Sequence, residues 1–240
     1  MCGRFAQPRS SDELARIFRA RRVTELEGER FNVAPTDQVA AVVEHHGERQ
    51  LDTFRWGLVP YYAESSHEAA RLINARAETV ESSGAFRTAF RRRRCIVPAD
   101  AFYEWRRAVP AAGNERARGA RPQPYAIRRV DGQPMAFAGL WAVWREPLDA
   151  GRLFTCSIVT TTANELLAPL HSRMPVILDE GDWDGWLDEA SEPGMLRGLL
   201  RPAPDTSIEV YAVGQAVNDV RSNGPNLLDP LTEPAGAHLS

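Results

Sequence analysis

The alternation of apolar and polar positions changes period several times along the chain, and each change predicts an element. After a strand-like CGRFA opening, Leu14, Ile17 and Phe18 recur at helical spacing. Ser10 or Ser11 can cap this segment, with Asp12 and Glu13 in the first turn, which predicts a helix to about Arg22. FNVAPT (31–36) is a turn signal around Pro35. The β-type runs VAAVVE (39–44) and LDTFRWGLV (51–59) flank a polar HHGERQ, a pattern that predicts a hairpin with His45 and His46 as solvated turn residues.

Farther along, Phe86 and Phe90 lie one helical turn apart in GAFRTAFRRRR and predict a short amphipathic helix. CIVPADAFYEWRR alternates like a strand broken at Pro98. Residues 108–124 turn to Ala, Gly, Arg and Pro and read as a surface loop. Strand patterns return at PYAIRRV, AFAGLWAV and LFTCSIVTT, the first two joined by a DGQP turn, with helices near 162–168 and 179–190 and a last strand at IEVYAV (208–213). Many short strands, few helices and no regular βαβ alternation predict an α+β fold. We expect one domain over residues 2–230, a curved, mainly antiparallel, barrel-like sheet core with flanking helices, and a tail over 231–240.

At 240 residues and 43% hydrophobic, the chain can bury a sizeable core. It has no apolar run of about 18 residues, and its first twenty positions are too charged for a secretory segment, so a soluble cytoplasmic protein with no membrane partner is expected. Cys2, Cys95 and Cys156 form no CxxC pair and leave one over in any disulfide scheme, which fits a reducing compartment. The net charge of −3 argues against an overall basic coat. All 29 of the Lys and Arg residues are arginine. The α-amine is then the one primary amine available for imine chemistry that elsewhere uses lysine.

That observation changes how Cys2 reads. With Met1 removed, Cys2 carries an amine and a thiol on adjacent carbons, with ordinary pKa values of about 8 and about 8.5. A frayed, idle end is the competing reading. Gly3 permits close backbone approach, and Arg4 favours a thiolate and can hold an anion. Asn74 and Arg76 share a face if INARAET (73–79) is a strand, either as a site or as a surface polar pair. Glu104 interrupts the apolar AFYEW, on the wet face of a sheet or as a buried proton-transfer group. His171 and Arg173 in LHSRMP suit an acid, base or phosphate-facing role as well as a structural one. The Arg91–Arg94 run is a phosphate stripe or a solvated face. Trp56, Tyr61 and Tyr62 suit base stacking, although core packing explains Trp56 equally well. The histidine and acid spacing offers no metal motif, and neither a metal nor a cofactor is expected.

In order, MCGRF, NVAPT, RWGLVP, INARAET, the F-x-E-W of AFYEW, LHSRMP and VGQAVNDVRSNGPNLL resemble the SRAP family, the SOS-response-associated peptidases, over nearly the whole chain. The resemblance implies a sensor of abasic sites in single-stranded DNA that cross-links to the ring-opened sugar. It implies Cys2 as nucleophile after Met1 removal, by self-processing or by an aminopeptidase, with Asn74 orienting the amine or adduct and Glu104 shuttling protons. His171 would help open the sugar and contact its phosphate. Arg4 and Arg76 would hold phosphates, Asn32 and Pro35 would support kinked DNA, and Arg173, Trp56 and Tyr62 would line the DNA path. The expected partner is abasic single-stranded DNA, bound by a nucleoid-associated monomer. Two alternatives stand beside it: an N-terminal-nucleophile amidohydrolase, marked by glutaminase activity, and a non-covalent single-strand binding module, whose complex would dissociate in high salt.

Overall fold

The computed structural model describes residues 2–26, 28–106, 121–145 and 151–231. The opening FAQ forms β1 (Phe5–Gln7), and Ser10 then caps α1 (Ser11–Ile17) through a reciprocal box. Ser10 Oγ accepts the Glu13 N–H at 3.2 Å, and the Glu13 carboxylate accepts the Ser10 N–H at 3.1 Å. The helix stops a turn short of the predicted Arg22. Arg19 takes a left-handed φ of 52° and turns the chain, so that β2 (Arg21–Arg22) joins a sheet edge.

Next come β3 (Arg30–Val33) and the predicted hairpin of β4 (Gln38–His45) and β5 (Glu48–Trp56), reversed at His46 and Gly47, both at positive φ. His45 and His46 are exposed there, as the pattern predicts. β6 (Asn74–Arg76), α2 (Arg87–Arg92), β7 (Arg94–Ala99) and β8 (Ala101–Arg106) follow. The β7–β8 break falls at Asp100 and not at Pro98. Pro98 stays in the strand, its carbonyl accepting Gln7 Nε2 at 2.7 Å, while the Asp100 N–H already donates to Ala6 in the next sheet.

The loop expected over 108–124 lies largely outside the described residues, as does the tail beyond 231. β9 (Gln123–Arg129), β10 (Met135–Arg145) and β11 (Arg152–Thr162) match the predicted runs. No helix forms over 162–168. Asn164 Oδ1 takes the Leu167 N–H at 3.1 Å and Pro169 disfavours helical backbone before it, so a single turn leads into β12 (Arg173–Pro175). The last elements are α3 (Trp183–Leu187), α4 (Pro193–Leu199) and β13 (Ile208–Ala212).

β4, β5, β11, β10 and β7 close into a barrel, sealed by parallel pairing of Arg55 with Thr155 and Trp56 with Cys156. A second, wholly antiparallel sheet runs β13-β9-β8-β1-β3. The fold is α+β with mainly antiparallel pairing, as the sequence predicts. Alternation along β4 places Ala40 and Val42 in one apolar cluster with α1 to α4, and Val39, Ala41 and Val43 in another with Phe5, Trp56, Phe102 and Phe137. Gly139 is required inside the barrel, because a Cβ there would meet Cys95 Sγ at 2.7 Å. Arg94 is buried with its guanidinium donating to the Trp186, Phe90 and Asp188 carbonyls at 2.6, 2.7 and 2.5 Å, which ties α2 and α3 to the barrel. Among the described residues no helix is long and apolar enough to cross a membrane.

Candidate functional site

The chain start is threaded into the protein. Cys2 is fully buried in the cluster that fills the barrel, beside Phe5 and Trp56. β1 is held between β3 and β8, and the Tyr103 N–H donates to the Arg4 carbonyl at 2.9 Å. Phe5 pairs with Phe102, so the same antiparallel register carried two residues back sets Gly3 opposite Glu104. Glu104 is 5% exposed and so does not stand on the wet face of a sheet.

Asn74 arrives from the other side. β6 pairs in parallel with β11, Asn74 opposite Ile158, and Asn74 Nδ2 donates to the Cys2 carbonyl at 2.9 Å. Its Oδ1 is buried without a hydrogen-bond partner among the described residues. The preceding residue is pinned twice: the Ile73 carbonyl accepts from Trp56 Nε1 and from the Ile158 N–H, each at 3.0 Å. Asn74 is therefore presented to Cys2 by a rigid edge.

His171 follows the single turn at 164–168. Its N–H donates to the Leu167 carbonyl at 3.0 Å, and its Nδ1 accepts the Arg173 N–H at 2.9 Å. Nδ1 also lies 3.3 Å from the Arg173 carbonyl, and in the neutral tautomer that accepts the Arg173 N–H the ring proton sits on Nε2. Its neighbours Leu170 and Met174 pack in the same cluster as Cys2.

Cys2 is not an activated thiol. Burial pushes it well above its ordinary value and the Glu104 carboxylate adds to the rise, while the Arg4 backbone N–H acts weakly the other way. The sequence reading that Arg4 favours a thiolate is overturned. The Arg4 guanidinium is engaged elsewhere, with Nη1 donating to Asn32 Oδ1 at 2.8 Å and to the Val217 carbonyl at 2.9 Å, and it lies over the Trp105 ring at 5.8 Å.

Cys2, Asn74 and Glu104 thus bring together a buried thiol, a backbone-anchored amide and a carboxylate, and His171 adds an imidazole on the turn that packs on the same cluster. The family model of the SOS response associated peptidase (SRAP) matches residues 1–220. The chain belongs to the SRAP family. It is similar to abasic site processing protein YoqW of Bacillus subtilis, with 35% identity over 233 residues, 95% of this chain and 99% of that one. It is 29% identical over 242 residues to abasic site processing protein YedK of Escherichia coli, covering 96% of this chain and all of that one. A solved structure from Bacteroides thetaiotaomicron has the same fold, with a TM-score of 0.82 at 22% identity over 95% of this chain and 99% of that chain.

In this SRAP chain the outer candidates divide. Arg76 is exposed on the strand that carries Asn74, and Pro35 is half-buried in a turn fastened by the Thr36 N–H to the Trp56 carbonyl at 2.8 Å. Tyr61 and Tyr62 are 75% and 55% exposed and meet edge to face at 5.3 Å. Trp56 is corrected: it is fully buried, edge-on to Phe5 at 5.0 Å, and has no face for a base. Asn32 is also buried, its amide donating to the Asp219 and Ser222 carbonyls at 3.0 and 2.9 Å, so it braces Arg4 and not a ligand. Arg173 is occupied by Glu78 at 2.6 Å and the Thr160 carbonyl at 2.5 Å, which ties β12 to the end of β6.

Sequence reasoning missed what the SRAP segment from Val213 to Asn223 does. Val217 and Asp219 supply carbonyls to Arg4 and Asn32, and Asn218 Oδ1 accepts from Trp105 Nε1 at 2.6 Å. The only signal was the polar motif VGQAVNDVRSNGPNLL itself, and no local pattern shows that its partners lie near residue 4.

Proposed function

We propose that this chain processes abasic sites in single-stranded DNA by becoming covalently attached to them through Cys2, once Met1 has been removed. The observation that carries the reading is the Asn74 hydrogen bond to the Cys2 carbonyl within reach of the Glu104 charge. The names of the relatives support the substrate: YoqW and YedK are called abasic site processing proteins. In this reading, removal of Met1 by the chain itself is the peptidase part of the family name.

The chemistry uses the α-amine first. Its nitrogen attacks the aldehyde carbon of the ring-opened sugar, and loss of water leaves an imine. The Cys2 sulfur then adds to the imine carbon while the thiol proton passes to the imine nitrogen, closing a five-membered thiazolidine with no net redox change. A thiol kept protonated by its surroundings suits this order, since it does not compete with the amine for the aldehyde. Glu104 carries the protons between steps, and the Asn74 carbonyl oxygen receives the amine N–H. His171 donates through Nε2 to the sugar oxygen as the ring opens. Arg76 and the remaining Arg4 donors hold the flanking phosphates, and Tyr62 stacks a neighbouring base.

The test is incubation of purified protein with single-stranded DNA carrying one abasic site, followed by denaturing electrophoresis. The account expects a heat-stable, slower band that is absent with Cys2→Ala. A band that persists with Cys2→Ala defeats it.

A further inference from the structure

Arg145 and Arg152 stand directly opposite each other in the β10–β11 ladder. Like charges in that position repel, and elsewhere on this molecule arginines meet carboxylates: Arg128 with Glu209, Arg129 with Asp131, Arg197 with Glu81. Arg145 and Arg152 meet none among the described residues. A third cation, Arg93, lies over the Trp141 ring at 5.5 Å and also has no carboxylate partner among them. With Tyr61, Thr88 and Val143, these three arginines line a groove of about 410 Å³, and none of its described lining residues is acidic.

The groove is displaced from the reacting group along one strand. Asn74 pairs with Ile158, and Arg152 lies six residues back along β11, about 20 Å at ~3.3 Å per residue. One loop spans the interval. The Leu58 N–H donates to the Leu72 carbonyl, close to Asn74, the Val59 N–H donates to Thr155 Oγ1, and the Ala63 carbonyl accepts from Trp144 Nε1, so Tyr61 and Tyr62 are carried toward the arginines.

We propose that the groove of Arg93, Arg145, Arg152 and Tyr61 is a second nucleic-acid subsite, which holds the phosphate backbone of single-stranded DNA away from the nucleotide that reacts. Cations without a carboxylate partner among the described residues, beside an exposed aromatic ring, match a phosphate chain with stackable bases. The offset corresponds to about six nucleotides of stacked strand at ~3.4 Å each. The subsite makes flank length part of substrate recognition, and it rests on the reading of this chain as a single-strand DNA protein.

The experiment measures binding of lesion-free single-stranded DNA by fluorescence anisotropy across a salt series. It compares the full chain, Arg145→Ala/Arg152→Ala, and a charge-matched control, Arg16→Ala/Arg197→Ala, on exposed positions of α1 and α4; all three must melt alike. Loss of two phosphate contacts lowers the slope of log K against log salt by about 1.4, at ~0.7 per contact, in the groove variant alone. Abasic oligonucleotides with flanks of about three or about ten nucleotides then give adduct rates that rise with flank length in the wild type and not in the groove variant. A wild-type slope and flank dependence in the groove variant, an equal loss in the control, or no wild-type binding at low salt overturns the subsite. Absence of adduct on every oligonucleotide overturns the covalent reading instead, and the lesion-free slopes still judge the groove.

Discussion

Asn74 Nδ2 donates to the Cys2 carbonyl at 2.9 Å across 72 residues of sequence, and the other end of that amide, Oδ1, is buried without a hydrogen-bond partner among the described residues. One side chain thus anchors the backbone of Cys2 and holds an acceptor in reserve. Replacing Asn74 with Ala removes both functions. Adduct formation is expected to slow at least tenfold, with a stability loss of about 1 kcal/mol for the hydrogen bond. Single-turnover cross-linking beside a thermal melt separates the two effects, and an Asn74→Ala chain that reacts at the wild-type rate removes Asn74 from the mechanism.

Glu104→Gln gives two readouts of opposite sign. The carboxylate raises the Cys2 thiol, so its neutral replacement lets the thiol titrate lower and increases the thiolate fraction at fixed pH. Adduct formation nevertheless falls, on the order of 100-fold, because the proton carrier is gone. Difference titration of thiolate ultraviolet absorbance, run against the cross-linking rate, checks both. A rate that rises together with the thiolate would make Glu104 an electrostatic brake and not a proton carrier.

The pH profile follows from which nucleophile acts first. An α-amine attacks as the free base, so the rate rises as pH approaches about 8 and levels off above it. The thiol, held far above its ordinary value by burial, contributes no second rise in that window. Cross-linking rates from mildly acidic to mildly alkaline pH read this directly, and a profile that keeps climbing with thiolate formation contradicts amine-first chemistry.

Two aromatic residues from one sequence window separate cleanly. Trp56→Ala opens a cavity in the barrel and releases Ile73, at a cost of about 3–5 kcal/mol to stability. Tyr62→Ala leaves the melt unchanged and weakens single-strand binding by about 1–3 kcal/mol, the usual worth of one stacked base. Denaturant unfolding and DNA titration of both variants give the comparison, and a stable Trp56→Ala chain would contradict the buried assignment.

The strands were legible because period-two alternation survives in short runs, and the first helix because Ser10 and Glu13 form their capping box locally. The shared face of Asn74 and Arg76 was legible for the same reason. What was not legible depends on contacts distant in sequence. RWGLVPYY contains aromatics in a row, but which is core and which is surface is set by barrel closure against Cys156. Arg4 next to Cys2 suggests an activated thiol. The cation is instead taken up by Asn32 and Val217, the latter 213 residues away, while burial beside Glu104 drives the thiol the other way.

The central claim is that Cys2, freed of methionine, bonds a damaged sugar through nitrogen and sulfur together, and intact mass spectrometry tests it most directly. The account predicts a mature chain lighter by one methionine. After incubation with an abasic oligonucleotide it predicts a single species at the summed masses less one water, stable to heat. A chain that retains Met1, or a blocked amine that still yields the adduct, would contradict it.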